Sequence, residues 1–423
     1  MRFIADLHIH SKYSRATSKD MSPESIWKWA QLKGISVIGT GDFTHPAWFK
    51  ELNEKLEASG NGLFKLRKNF RANDIPESCK ADVSFMLTAE ISCIYSKNGK
   101  TRKIHSILFV PDFASAAKIS IALAKIGNLN ADGRPILGLD AKRLLKIVLN
   151  EAPDSMLVPA HAWTPHFSIF GAESGFDFFE ECFEDLTPYI YAIETGLSSD
   201  PLMNWRLSAL DKITLISNSD AHSPSKIGRE ANIFDTEISY KAIIEAIKTR
   251  KGFIGTIEFF PEEGKYHYDG HRTCGISMSP KETIKHNYLC PICGKKVTIG
   301  VIHRVEKLAD RDEGFKPNSS PSFHSIIPLP EIIAEVLKIG PNSKAVDKEY
   351  QNLLQKLGNE FKILMDAPLN DISHASSALM KEAISCMREG KVHIAPGYDG
   401  EYGKIKIFEA VERKEIKGQS MLF

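Results

Sequence analysis

The fold turns on the first ten residues, Met1-Arg2-Phe3-Ile4-Ala5-Asp6-Leu7-His8-Ile9-His10. Phe3 to Ile9 reads as a β-strand. Because side chains alternate along a strand, Asp6, His8 and His10 leave it on one face. Outward from there, Ser22 caps a predicted helix that Pro23 opens, with Ile26, Trp27 and Ala30 on its apolar face. Gly34 stops it, and Ile35 to Thr40 reads as the second strand. Strand-like runs at Ser84 to Thr88, Ile104 to Val110, Met156 to Ala160, Tyr189 to Ile193 and Thr214 to Ser217 bring the count to seven. Helical stretches at 114–125, 141–149, 201–209 and 240–249 fall between them, the alternation of a parallel β/α architecture.

The residues at the strand ends carry the chemistry. Asp6, His8 and His10 end the first, Asp42 and His45 the second, and Glu90 the third; His105 starts the fourth. His161 ends the fifth, Glu194 the sixth, and Asp220 with His222 the seventh. In a β/α barrel the loops at the carboxyl ends of the strands share one mouth, so these residues are expected to converge. One such histidine alone is an ordinary loop residue. His8-x-His10 and Asp220-x-His222 bracketing the others predict a centre for Zn, Mn or Fe.

The chain has 423 residues, 43% hydrophobic and 25% charged, the composition of a globular protein of two or three domains. No apolar run approaches the ~18 residues of a membrane span, which argues against a membrane partner. Seven cysteines, an odd number, argue against a secreted disulfide framework and place the chain in the cytoplasm. The net charge of +1 excludes a polybasic protein but leaves local patches open.

Asp6-Leu7-His8-Ile9-His10, Thr40-Gly41-Asp42, Glu90, His105, Pro159-Ala160-His161 and Asn218-Ser219-Asp220-Ala221-His222 resemble the successive motifs of the PHP (polymerase and histidinol phosphatase) superfamily. That resemblance implies an α/β fold built on a distorted seven-stranded barrel that hydrolyses phosphate esters. It places His8, His10, Glu90 and Asp220 on one metal, and Glu90, His105 and His161 on a second. Asp42 and His222 would belong to a third. The usual histidine after the aspartate is Phe43 here, and Ser14-Arg15-Ala16-Thr17 lacks another frequent histidine, so two ions (Zn, Mn or Mg) are expected rather than three. Two suffice for in-line displacement at phosphorus. Catalysis falls to His8, His10, Glu90, Asp220 and His222; Glu194 counts among the expected metal ligands.

Within that superfamily the whole chain resembles the endonuclease Q family. The likeness includes Val158-Pro159-Ala160-His161-Ala162-Trp163-Thr164-Pro165, Gly171 to Asp177, Ile193 to Asp200 and Pro396-Gly397-Tyr398-Asp399-Gly400-Glu401-Tyr402-Gly403. It implies repair of DNA by cleavage 5′ to deaminated bases (hypoxanthine, uracil, xanthine) or abasic sites, leaving a 3′-hydroxyl and a 5′-phosphate. The alternative is a PHP-type small-molecule phosphatase of the histidinol-phosphate kind. Trp163 and His166 lie in a loop expected to meet a flipped base, and Tyr398 is a candidate for stacking.

The barrel is expected to cover residues 1–260, with a zinc segment at 261–312 and a mostly helical C-terminal domain at 313–423. His271-x2-Cys274 and Cys290-Pro291-Ile292-Cys293 have the paired two-residue spacing of a structural zinc site, with His286 and His303 as alternative fourth ligands. Residues 271–310 hold seven Lys or Arg against three acids, so Lys295, Lys296 and Arg304 are expected to contact the DNA backbone. The tail Gln419-Ser420-Met421-Leu422-Phe423 resembles short sliding-clamp-binding peptides, with Gln419, Leu422 and Phe423 as anchors and the DNA sliding clamp as partner.

Overall fold

Each of the seven predicted runs contains a strand, but the strands do not all run parallel. A computed structural model describes residues 1–409; Gln419, Leu422 and Phe423 lie outside the described residues. The strands that build the site are β1 (Arg2–Asp6), β2 (Val37–Gly39), β3 (Ser84–Lys97), β4 (Lys100–Val110), β5 (Met156–Pro159), β6 (Ala192–Glu194) and β7 (Thr214–Ile216). Beyond them lie β8 (Ala231–Asp235), β9 (Phe253–Glu258) and β10 (Ser322–Ser325). The fold is mixed α/β around a large central sheet with the order β10-β9-β8-β1-β2-β3-β4-β5 among these strands.

β1, β2 and β3 pair in parallel, as expected. β3 and β4 instead form one long antiparallel hairpin in which Lys97 faces Lys100 across Asn98-Gly99. Both turn residues have positive φ, 54° and 73°, the conformation that an Asn-Gly hairpin turn supplies with the right twist. β4–β5, β1–β8 and β8–β9 are antiparallel as well. The expected succession of parallel β/α units is thus corrected. A two-residue turn replaces one crossover, and antiparallel β8 and β9 extend the sheet beyond β1.

The hairpin alternates cleanly. Met86 joins Ile107 and Phe109 in a core shared with Ala5, Val37, Val158, Ala192 and Ile216, so strands all round the site contribute to one interior. Helix Tyr240–Thr249 closes it through Tyr240, Ile243 and Ile247. The opposite face, with Ala89, Ile91, Ile104 and Leu108, packs in a larger core that also holds the C-terminal helices. Because Glu90 faces Ile107 and Ser92 faces His105 in register, Glu90 and His105 are on the interior face.

The C-terminal helices Leu329–Leu337, Lys344–Leu357, Leu369–Ala375 and Ala378–Arg388 share that larger core with the central sheet. β10 extends the sheet by pairing with β9 in parallel. Lys33 Nζ meets Glu360 Oε2 at 2.7 Å with both side chains about 4% exposed, and Tyr350 donates to the same carboxylate. Such a pair fixes the docking of the helices because either partner alone would be a buried, unpaired charge.

Candidate metal centre

The first and last motifs meet through backbone pairing. Ile9 bridges Ala221, and His10 N donates to Ala221 O, which lays His8-x-His10 beside Asp220-x-His222. The hairpin brings Glu90 and His105 to the same place, and the turn after β5 brings His161. Asp42, His161 and Asp220 all have positive φ (51°, 28° and 46°), a backbone state that costs energy in non-glycine residues and persists where the surroundings enforce it. At Asp220 the enforcement is visible: Arg229 donates to the carbonyls of Ser219 and Asp220.

Two donor groups result. His8, His10 and Asp220 form one, and Glu90, His105 and His161 the other, each with its ligand atoms within 4.8 Å of one another. Glu90 also reaches the first: its Oε2 is 3.6 Å from His8 Nε2 and 3.3 Å from His10 Nε2, while Asp220 Oδ1 is 3.7 and 3.0 Å from the same nitrogens. Glu90 Oε1 lies 2.7 Å from His105 Nδ1 and 3.1 Å from His161 Nε2. Ligands held tetrahedrally at 2.0–2.1 Å from an ion are about 3.3 Å apart, so these spacings fit metal coordination. The buried atoms His8 Nε2, His10 Nε2 and Asp220 Oδ1 have no hydrogen-bond partner. Orphaned polar atoms in a dry site are costly unless an ion takes them up. The residues therefore fit the metals that the motifs imply.

Charge follows from the same geometry. Burial opposes charge on His8 and His10, yet Glu194 and Glu90 at His8, and Asp42 and Asp220 at His10, raise both well above the ordinary imidazole value. Burial also opposes ionisation of Glu90 and Asp220; His105 and Arg134 beside Glu90, and His10 and His8 beside Asp220, hold both carboxyls well below their usual range. Burial pushes His105 down to about 4 against the pull of Glu90.

Two expected ligands stand one layer back. Glu194 places its carboxylate oxygens 3.0 and 3.1 Å from His8 Nδ1 and accepts from His161 N and Asn218 Nδ2. Asp42 does the same for His10: Oδ1 is 3.1 Å from Nδ1, while Oδ2 accepts from the Ser11 N–H and from the hydroxyls of Ser11 and Ser14. Their lone pairs are spent on the rings they orient. His222 packs 4.5 Å from the His10 ring with Nδ1 on Asp220 O, outside both donor groups. No third donor group including Asp42 or His222 forms among the described residues.

The Cys and His knuckle assembles as a separate cluster: His271, Cys274, Cys290 and Cys293 offer ligand atoms within 4.8 Å of one another. Burial opposes ionisation of Cys290, and the N–H groups of Cys293 and Ile292 bring it down to about 7, toward the thiolate a metal needs. His303 is taken by Asp269 at 2.6 Å and is not a fourth ligand.

The expected DNA contacts divide. His166, Lys295 and Lys296 are exposed. Arg304 is buried, donating to Phe170 O, Phe176 O and Asp177, so its charge ties helix Val301–Leu308 to the loop after β5 and is not offered to a phosphate. Trp163 is 1% exposed, with Nε1 on Asn204 and its ring against Phe170, and presents no face to a base. Tyr398 is half-buried over Gly270, whereas Tyr402 is 72% exposed. Tyr402, Tyr266, Lys265 and Arg229 line a cleft, and Arg229 in its wall also donates to the Asp220 carbonyl. Arg229 and Lys265 went unmarked in the sequence, since single basic residues in loops carry no pattern.

Known proteins resemble the chain at several levels. Residues 205–251 match the family described as PHP-associated, and residues 328–391 the family described as MJ0043 C-terminal domain. The crystal structure of the lesion-specific endonuclease PfuEndoQ from Pyrococcus furiosus superposes with a TM-score of 0.84 at 32% identity, covering 97% of this chain and 96% of that one. The crystal structure of Endonuclease Q with a 27-mer duplex bearing an abasic lesion at its active site gives 0.82 at 33% identity, covering 98% of each. The uncharacterised protein MJ0043 of Methanocaldococcus jannaschii is 33% identical over 253 residues, 58% of this chain, and the chain spans 31% of that protein's length.

Proposed function

Because this chain belongs to the endonuclease Q family, we propose that it is a metal-dependent DNA-repair endonuclease, cutting the phosphodiester 5′ to a deaminated base or an abasic site to leave a 3′-hydroxyl and a 5′-phosphate. The observation that carries the reading is Glu90, one carboxylate whose two oxygens each serve a different donor group. His8, His10, Asp220 and Glu90 would hold one divalent ion, and Glu90, His105 and His161 a second, as Zn, Mn or Mg. Such a pair, when bound, lowers the pKa of water and offsets charge on the phosphoryl oxygens.

The chain's own residues do the rest. Glu194 and Asp42 accept from the Nδ1–H of His8 and His10, which turns each Nε2 toward the centre. Arg229 holds the Asp220 backbone in its strained turn. The Watson–Crick edge on which a deaminated base differs is covered inside a duplex, so the base leaves the stack to be read. The cleft of Arg229, Lys265, Tyr266 and Tyr402 receives it. Exposed Lys295 and Lys296 meet backbone phosphates. The Cys3His cluster would take one structural Zn, since the core around it, Met278, Cys290 and Val297, is too small to fold unaided. Gln419, Leu422 and Phe423 engage a sliding clamp; equal clamp recovery by chains with and without residues 419–423 would remove that partner. Among the described residues no helix is long and apolar enough to cross a membrane.

The test offers three substrates with Mg or Mn: a deoxyinosine duplex, an undamaged duplex and p-nitrophenyl phosphate. A nick confined to the 5′ side of the lesion is expected. Hydrolysis of the small ester with the lesion duplex left intact would instead establish the phosphatase reading.

A further inference from the structure

The centre contains a cation for which metal coordination has no use. Arg134 Nη1 donates to Glu90 Oε2 at 3.0 Å, the oxygen that also faces His8 and His10. Its loop is built for that approach. Gly133 N donates to Tyr13 O, Asp132 Oδ1 accepts from the N–H groups of Arg15 and Arg134, and Ser92 N donates to Pro135 O. A Cβ on residue 133 would collide with Asp42 Oδ2 and Ser14 Oγ. Only glycine lets the loop close on Asp42 and deliver the next side chain to the centre.

A guanidinium such as that of Arg134 keeps its charge across the physiological pH range. The side chain is 26% exposed, and among the described residues its only hydrogen bond is the one to Glu90. A guanidinium has five N–H donors in a planar fork that matches phosphate oxygens, so four remain for an incoming anion. The geometry points to Arg134 as a catalytic residue that donates to a non-bridging oxygen of the scissile phosphate and stabilises the charge that grows there as phosphorus becomes pentacoordinate. The assignment rests on the endonuclease reading of the same centre.

Three proteins decide it: wild type, Arg134→Ala and Arg134→Lys. Each is assayed for single-turnover nicking of a duplex carrying an abasic-site analogue and for bound metal per chain. Each is also tested for affinity to the same duplex with a neutral methylphosphonate at the scissile linkage. Arg134→Ala is expected to slow nicking about 10²–10³-fold, the cost of removing one donor to a developing oxyanion. Arg134→Lys should recover part of the rate, and metal content and methylphosphonate affinity should match wild type. Full-rate nicking by Arg134→Ala overturns the assignment. So does loss of its metal, which would make Arg134 a support for Glu90, and so does weaker methylphosphonate binding, which would make it a general DNA contact. A wild-type protein that holds its metals but leaves the lesion duplex uncut overturns the endonuclease reading, and this assignment with it.

Discussion

The two candidate metal sites in this chain are built on opposite plans. In the centre at the strand ends, every imidazole ligand is braced from behind: His8 by Glu194, His10 by Asp42, His105 by Ser92 and His161 by Thr164. The ligands ride on strands and turns set over an interior core. In the knuckle, Cys293 is exposed, His271 Nδ1 meets Cys293 Sγ at 3.6 Å, and the local core is three buried residues. The difference shows where the organising energy comes from. Strand pairing and packing hold the first set of ligands in place, whereas the second set has little besides a bound ion that could fix its geometry.

The most severe way to break the first site is to remove a ligand. His8→Ala and Asp220→Ala should reduce lesion nicking to background while the melting temperature of the central sheet holds, read by gel assay and calorimetry; activity in either variant removes that residue from the centre. The knuckle should answer differently. Cys290→Ser, or a chelator, withdraws a metal contribution of the order of 10 kcal/mol from a segment with little else to hold it. Limited proteolysis should then cut between residues 271 and 300 with the central sheet intact, and a protected knuckle would show that packing suffices there.

Smaller changes sharpen the contrast. Glu194→Gln or Asp42→Asn leaves the ligand set whole but loosens a ring, and should cost about 10–100-fold in metal affinity by competition titration. Unchanged affinity would mean that packing alone orients the imidazoles. The least effect is expected from Lys295→Ala with Lys296→Ala. If both touch phosphates, the slope of log K against log salt should flatten by up to about 2. An unaltered slope takes the knuckle's basic face out of the DNA interface.

Much of this was legible in the chain itself. The paired spacings His8-x-His10 and Asp220-x-His222 marked which segments converge, and in the structure Ile9 bridges Ala221 to lay them side by side. The direction of the partner strands was not legible from hydrophobic runs. It lay in Asn98-Gly99, two residues whose positive φ turns the chain straight back. Nor did residue type reveal which carboxylates meet an ion and which meet an imidazole; Asp42 and Asp220 differ only by the few ångströms separating Nδ1 from Nε2 of His10. Counting charge misled at Arg304, since a guanidinium satisfied by two carbonyls and a carboxylate can be buried where an ammonium is left exposed. Trp163 misled likewise: a large amphipathic ring serves a core as readily as a surface.

The β3–β4 hairpin makes the enzyme sensitive to the parity of its length. Glu90 and His105 point inward because the residues separating them from the turn place both on one face of the ribbon. Deleting one residue from β3 between Glu90 and Asn98 would rotate Glu90 toward the helices and bring a hydrophobic neighbour to the centre. Deleting two would keep a carboxylate inward but lower it by one pleat, about 7 Å. Insertions and deletions along these strands should therefore be tolerated in steps of two for folding and hardly at all for chemistry, so length variation among relatives is expected in the loops and not in this ribbon.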